Sequence, residues 1–164
     1  TNYDSIILSI GAVRFDPKNG KIDKENTFYR NITTESCTAI GLTSTESTIA
    51  WWAKQPNASE SFKDPEPISI TTALSDFSTW FKGSSYLWAN GTTFDPVILN
   101  TSYNRLNLHS PWHYTCVRDM RTIIAIAKDL EGYTKPKREG EKHNALGDAL
   151  WQAQVLVDAY SLLA

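Results

Sequence analysis

The chain has 164 residues, 41% of them hydrophobic and 12% aromatic, enough for one domain around a sizeable core. Its 18 acidic and 16 basic residues leave a formal net charge of −2, which excludes a nucleic-acid binder driven by bulk positive charge. No apolar run approaches the length of a membrane span, and no basic-then-apolar leader is read in the sequence. Cys37 and Cys116 fit neither a disulfide framework nor a zinc spacing, so a reducing, cytoplasmic setting is the expectation.

Residues 5–15 are rich in Ile and Val and nearly continuous in apolar character, as in a buried strand. The run Asp16-Pro17-Lys18-Asn19-Gly20 is a turn signal, and the alternation of residues 21–32 predicts the returning strand of a hairpin. Residues 45–55 read as a helix with Thr45 or Ser47 as N-cap and Ile49, Trp52 and Ala53 on one face; Pro56 ends it. Residues 69–81 form an amphipathic helix through Ala73, Leu74, Phe77 and Phe81, stopped by Gly83. A short strand at 86–89 precedes a helix at 94–106, with Pro96 in its first turn and Val97, Ile98 and Tyr103 toward the core. A second short strand at 114–117 leads to a helix at 119–130 carrying Ile123, Ile124, Ile126 and Ala127. The polar, basic stretch 132–142 is a loop. Residues 143–163 make a long amphipathic helix through Leu146, Leu150, Ala153, Leu156 and Tyr160. A hairpin followed by alternating strands and helices predicts an α/β fold with a mixed sheet, in one domain over residues 1–164.

Two places carry chemistry. Asp95 follows a strand end and opens a helix, where α/β sheets bind ligands. A carboxylate there can hold a divalent cation or simply cap the helix. His143 and Asp148 stand at the start of the last helix, as a base and a metal ligand would. On a regular helix they point about 140° apart, so they converge only if His143 lies on the preceding loop. Two such carboxylates, one His and no cysteine cluster suggest an oxygen site of the magnesium type, the usual equipment for phosphodiester cleavage.

The patterns Asn90-x-x-x-Phe94-Asp95 and His143-x-Ala145-x-x-Asp148 resemble the second and third motifs of the DEDDh 3′–5′ exonucleases. Further segments, among them Ile7-Leu8-Ser9-Ile10-Gly11-Ala12-Val13, Thr48-Ile49-Ala50-Trp51-Trp52-Ala53-Lys54-Gln55 and Arg118-Asp119-Met120-Arg121-Thr122, are similar to the subgroup that holds phage exonuclease A and a mycobacterial exoribonuclease. The resemblance spans nearly all of the chain. It implies a ribonuclease-H-like sheet flanked by helices. It implies hydrolysis at the 3′ end of single-stranded RNA or DNA by two Mg²⁺ or Mn²⁺ ions, with release of nucleoside monophosphates. Asp148 would ligate the tighter ion, Asp95 would help hold the second, and His143 would deprotonate the attacking water. Relatives are often dimers, so a homodimer is a further expectation.

The family's first motif, Asp-x-Glu, has no counterpart in the sequence; Asp4 has no Glu two places on. In this fold that motif sits on a central strand beside the first hairpin strand. The expectation is therefore a natural polypeptide longer at its N-terminus by roughly ten residues, one strand plus a turn. The rival reading is a non-catalytic nucleic-acid-end binder of the same fold that lacks this motif.

Around the motifs, Trp51 and Trp52 point about 100° apart on a helix, so one can stack on a terminal base, worth about 1–3 kcal/mol. Gln55, one turn on, can meet a base edge or sugar, and Phe94 can wedge beside the terminal nucleotide. Asn90 belongs to the second motif, and Arg118 can contact phosphate. Asp119 is expected to cap the helix that follows it. Lys135, Lys137, Arg138 and Lys142 form a basic loop able to steer a nucleic-acid end, or merely a solvated one.

Overall fold

The computed structural model describes residues 2–54, 65–130, 132–138 and 144–163. Asp16 shapes the first turn. Its carboxylate accepts the backbone N–H groups of Lys18 (3.1 Å) and Asn19 (3.3 Å), and Gly20 takes φ +65°. The turn joins β1 (Ser9–Asp16) to β2 (Lys21–Asn31) in an antiparallel pair. The first strand is shorter than expected: Ser5 makes only an isolated bridge with Thr43. Val13 faces Thr27 but Arg14 faces Asp23, so residues 24–26 bulge out of β2.

Three helices follow among the described residues. α1 (Thr34–Ala39) is a short helix that the sequence reading did not anticipate. α2 (Glu46–Trp52) starts at Thr45, whose hydroxyl accepts the N–H of Thr48. Its expected inner face is not buried: Ile49 is 57% exposed, and the helix buries no residue. α3 (Ile70–Phe81) behaves as its periodicity predicts, capped by Ser69, with Ala73, Leu74, Phe77 and Phe81 all inside. The Trp80 indole N–H donates to Asn26 Oδ1 (2.9 Å), tying the hairpin bulge to this helix.

The second half supplies β3 (Leu87–Ala89), α4 (Asp95–Arg105), β4 (Val117–Asp119), α5 (Met120–Lys128) and α6 (Ala145–Leu163). β3 and β4 are parallel, Ala89 beside Asp119. The strand expected at 114–117 begins at Val117 instead, because His113 caps a 3₁₀ turn at Tyr114–Cys116 and Nδ1 accepts the N–H of Thr115. On α4, Ile98 and Tyr103 are buried, whereas Val97 turns outward. On α5, Ile124 and Ala127 are buried, whereas Ile126 faces solvent.

The fold is mixed α/β, but the single mixed sheet does not form among the described residues. β1–β2 and β3–β4 are two separate two-stranded sheets. Two apolar clusters hold them, and both sheets contribute to each: Leu87 of β3 and Val117 of β4 pack against the first, and Phe15 of β1 against the second. In the first, Phe28 of β2 meets Phe77 of α3 edge-on at 5.2 Å, and Trp112 stands edge-on to Phe81 (5.9 Å) and Tyr103 (5.8 Å). In the second, Met120 and Ile124 of α5 pack on Val155 and Leu156 of α6, with Trp88 and Tyr160 edge-on at 6.0 Å.

Candidate active-site cleft

β1 and β3 both line one cleft of about 1550 Å³. Neither strand has a second strand neighbour among the described residues. The start of α6, the α2 tryptophans, Trp80 of α3 and the start of α4 also line it.

Asp95 arrives at the cleft by way of the turn after β3. Gly91 takes φ +113°, and Phe94 donates its N–H to the Gly91 carbonyl (3.2 Å). The N-cap position of α4 is Phe94, which makes no side-chain cap, so Asp95 is one place inside the helix and its carboxylate is not the cap. The residue is open to solvent at the cleft mouth, yet protein atoms crowd round it. That partial dehydration pushes its carboxyl above the usual carboxylate range; the nearby Arg121 guanidinium and its own backbone N–H pull it back.

Asp148 reaches the same cleft from the first turn of α6. Asn144 caps that helix: its side-chain oxygen accepts the N–H of Gly147 (2.9 Å), and its carbonyl accepts the N–H of Asp148 (2.8 Å). Arg138 forms an ion pair with the Asp148 carboxylate. Gly11 of β1 is what lets the helix come so close. A Cβ on Gly11 would lie 2.2 Å from the carbonyl carbon of Ala145 and 2.3 Å from the nitrogen of Leu146. The strand and the helix start therefore touch backbone to backbone, which holds Asp148 over β1.

Other expected residues divide into two groups. Trp51 and Trp52 line the cleft as an edge-on pair at 4.9 Å, with Trp51 43% exposed. Phe94 lines it too and is 44% exposed. Arg118 is a cleft residue whose guanidinium lies over the Tyr86 ring at 4.4 Å and donates to the carbonyls of Thr115 and Val117. Asn90, by contrast, does not line the cleft. Its side-chain oxygen accepts a bond from Arg121 Nε (3.1 Å), and it belongs to a neighbouring pocket. Asp119 caps α5, as expected, and also accepts the N–H of Gly91 (3.1 Å), which fixes the turn before Asp95. Gln55 and His143 lie outside the described residues.

Both carboxylates are hard oxygen donors opening into one cleft, the donor type that magnesium-class ions select. No three acidic, His or Cys side chains converge among the described residues. An ion held by Asp95 and Asp148 would thus fill its other positions with water and substrate oxygens, which is how magnesium is commonly bound. Three contributors were not read as such from sequence: Gly11 as the contact point, Arg121 as the cation beside Asp95, and Arg138 as the partner of Asp148. Arg121 and Arg138 are visible as charges, but their pairing is tertiary.

The chain's class follows from comparison of its sequence with protein-family models: residues 1–159 match a family of 3′–5′ exoribonuclease domains. The family is described as the 3'-5' exoribonuclease Rv2179c-like domain, and the chain belongs to it. No curated protein and no solved structure matches the chain.

Proposed function

We propose that the chain shortens single-stranded RNA from the 3′ end, releasing nucleoside monphosphates with the help of Mg²⁺ or Mn²⁺. Family membership supports the polarity and the substrate class. The observation that carries the reading is that Asp95 and Asp148, far apart in sequence, open into one cleft rimmed by exposed aromatic rings. Asp95 and Asp148 would hold the cation, which when bound supplies Lewis-acid charge at the scissile phosphate. Trp51, Trp52 and Phe94 would orient the terminal base by stacking. His143, whose role rests on the resemblance, would take the proton from the attacking water.

The ribonuclease-H-like sheet belongs to the same proposal. Among the described residues β1 and β3 each lack a second strand neighbour, and both border the cleft. A strand there carrying Asp-x-Glu would join the two sheets and add the remaining carboxylates.

The test is hydrolysis of 5′-labelled single-stranded RNA and DNA with Mn²⁺ and with EDTA. The expected result is a ladder receding from the 3′ end of RNA that needs the metal. Asp95→Asn and Asp148→Asn should each lower the rate about a thousandfold, the worth of several kcal/mol of charge stabilisation. Activity that appears only when a segment bearing Asp-x-Glu is fused ahead of Thr1 supports the strand. Full activity in Asp148→Asn would overturn the assignment. The lack of a three-ligand cluster among the described residues favours one rival, a domain that binds RNA ends without cutting them. Metal-independent binding of the 3′ end with no cleavage under any condition would select it.

A further inference from the structure

Beside the cleft lies a second, smaller concavity of about 600 Å³, between α5 and the loop before α6. Its floor is apolar, from Met120, Ile124 and Ala125, and its rim carries Arg121, Lys128 and Lys135 against the single carboxylate of Asp129. Arg121, Lys128 and Lys135 are all exposed. Three exposed cations about one hollow are a local reversal of sign in a chain whose net charge is −2.

Two structural links join this hollow to the acidic cleft. Arg121 lines the hollow, holds Asn90 through Nε (3.1 Å), lies against Gly91 and acts electrostatically on Asp95. On the other side, Trp151 is flanked by two cations: Lys135 Nζ is 4.7 Å from its ring centre and Arg138 Cζ 5.5 Å. Lys135 belongs to the hollow, and Arg138 is the ion-pair partner of Asp148. Arg121 thus links Asp95 to the hollow directly, and Arg138, Trp151 and Lys135 link Asp148 to it in series. The Trp151 indole N–H donates to the Pro136 carbonyl (3.1 Å), which fixes the loop that carries both flanking cations.

We infer that the Arg121–Lys128–Lys135 hollow is a binding site for internucleotide phosphates: it holds the part of a single strand just upstream of the end that enters the cleft. This rests on the proposed function for its direction, end in the cleft and upstream strand in the hollow, but its chemistry needs only a polyanion and a cationic basin. The apolar floor offers a flat contact for a base or sugar beneath the bound phosphates. The arrangement also explains how an acidic protein can hold a polyanion: attraction is concentrated at one place and not spread over the surface.

The experiment is equilibrium binding of fluorescein-labelled oligoadenylate, in EDTA, across a salt series. The variants are Lys128→Gln, Lys128→Gln/Lys135→Gln, and the charge-matched control Lys21→Gln/Lys24→Gln on β2. Loss of two phosphate contacts should reduce the slope of log K against log salt by about 1.4, and weaken binding about tenfold at moderate salt. The control should change neither. Lys128→Gln, at the exposed end of α5, should give about half the slope change without disturbing the Trp151 packing. A dinucleotide, with one internal phosphate, should bind all variants alike. Equal losses in pocket and control variants, or no loss in either, would overturn the inference. So would a 5′-mononucleotide that competes as well as the oligonucleotide does, since the hollow would then hold a terminal phosphate. The readout is independent of cleavage: a nuclease whose binding ignores Lys128 and Lys135 sinks this site alone. A protein that never cuts RNA but binds it through these lysines sinks the proposed function alone.

Discussion

Phe28, Leu74 and Phe77 are sealed between the β1–β2 hairpin and α3, whereas Ile49, Trp51 and Phe94 stand open around the cleft. Both groups are large and apolar, yet only the first is covered. The hairpin half has an eight-residue and an eleven-residue strand and a helix whose apolar stripe matches the sheet face. The other half has two strands of three residues each. Long local pairing closes one core, whereas the open rings sit on α2, which buries no residue, and at the start of α4. The contrast separates two uses of large apolar side chains: the covered ones hold the fold together, and the uncovered ones leave surface open to a ligand.

The contrast can be broken or sharpened by experiment. The largest expected effect on stability is from Phe77→Ala, which should cost about 3–5 kcal/mol in denaturant unfolding. Its counterpart Phe94→Ala should shift stability by no more than about 0.5 kcal/mol and instead weaken RNA-end binding by about 1–3 kcal/mol. If Phe94→Ala unfolds the protein, the distinction between the two halves fails. Gly11→Ala comes next. The added methyl meets the backbone of Ala145 and Leu146, so the start of α6 must move, at a cost of about 1–3 kcal/mol. Because Asp148 rides on that turn, metal-dependent RNA cleavage should fall further than in Ile32→Val, a buried core variant of similar or smaller stability loss; equal activities would detach Gly11 from the site.

The smallest effect concerns Cys37, fully buried in the hairpin half. Burial pushes its thiol up, against a smaller lowering from the backbone of Ile7 and from Ser36. The folded state therefore keeps a proton that the unfolded chain loses above a pKa of about 8.5. Stability should be intact below that pH and decline as pH rises through the folded value, with Cys37→Ala flattening the slope of the urea midpoint between pH 7 and 10. In native protein at pH 7, a maleimide should label the partly exposed Cys116 and spare Cys37 until unfolding.

What could be read from the sequence follows the range of the forces involved. The hairpin and α3 were legible because a turn signal and a 3.6-residue stripe are local. α1 was not, since Thr34, Ser36 and Thr38 give a six-residue helix no periodic face. β4 was misplaced by three residues at its start, because a three-residue strand shows no alternation and its parallel partner lies far away in sequence. Asp95 and Asp148 could be picked out by motif spacing. That they share a cleft, that Asn90 turns away to Arg121, and that Gly11 sets the approach of α6 are facts of tertiary packing that no spacing encodes.

The placement of the tryptophans has an optical consequence. Four of the chain's six, Trp51, Trp52, Trp80 and Trp88, border the cleft. In most domains indole emission reports on the interior; here much of the ultraviolet fluorescence originates in the walls of the cleft. The protein carries its own probe of occupancy, and a nucleic-acid end entering the cleft should announce itself in the emission without any label.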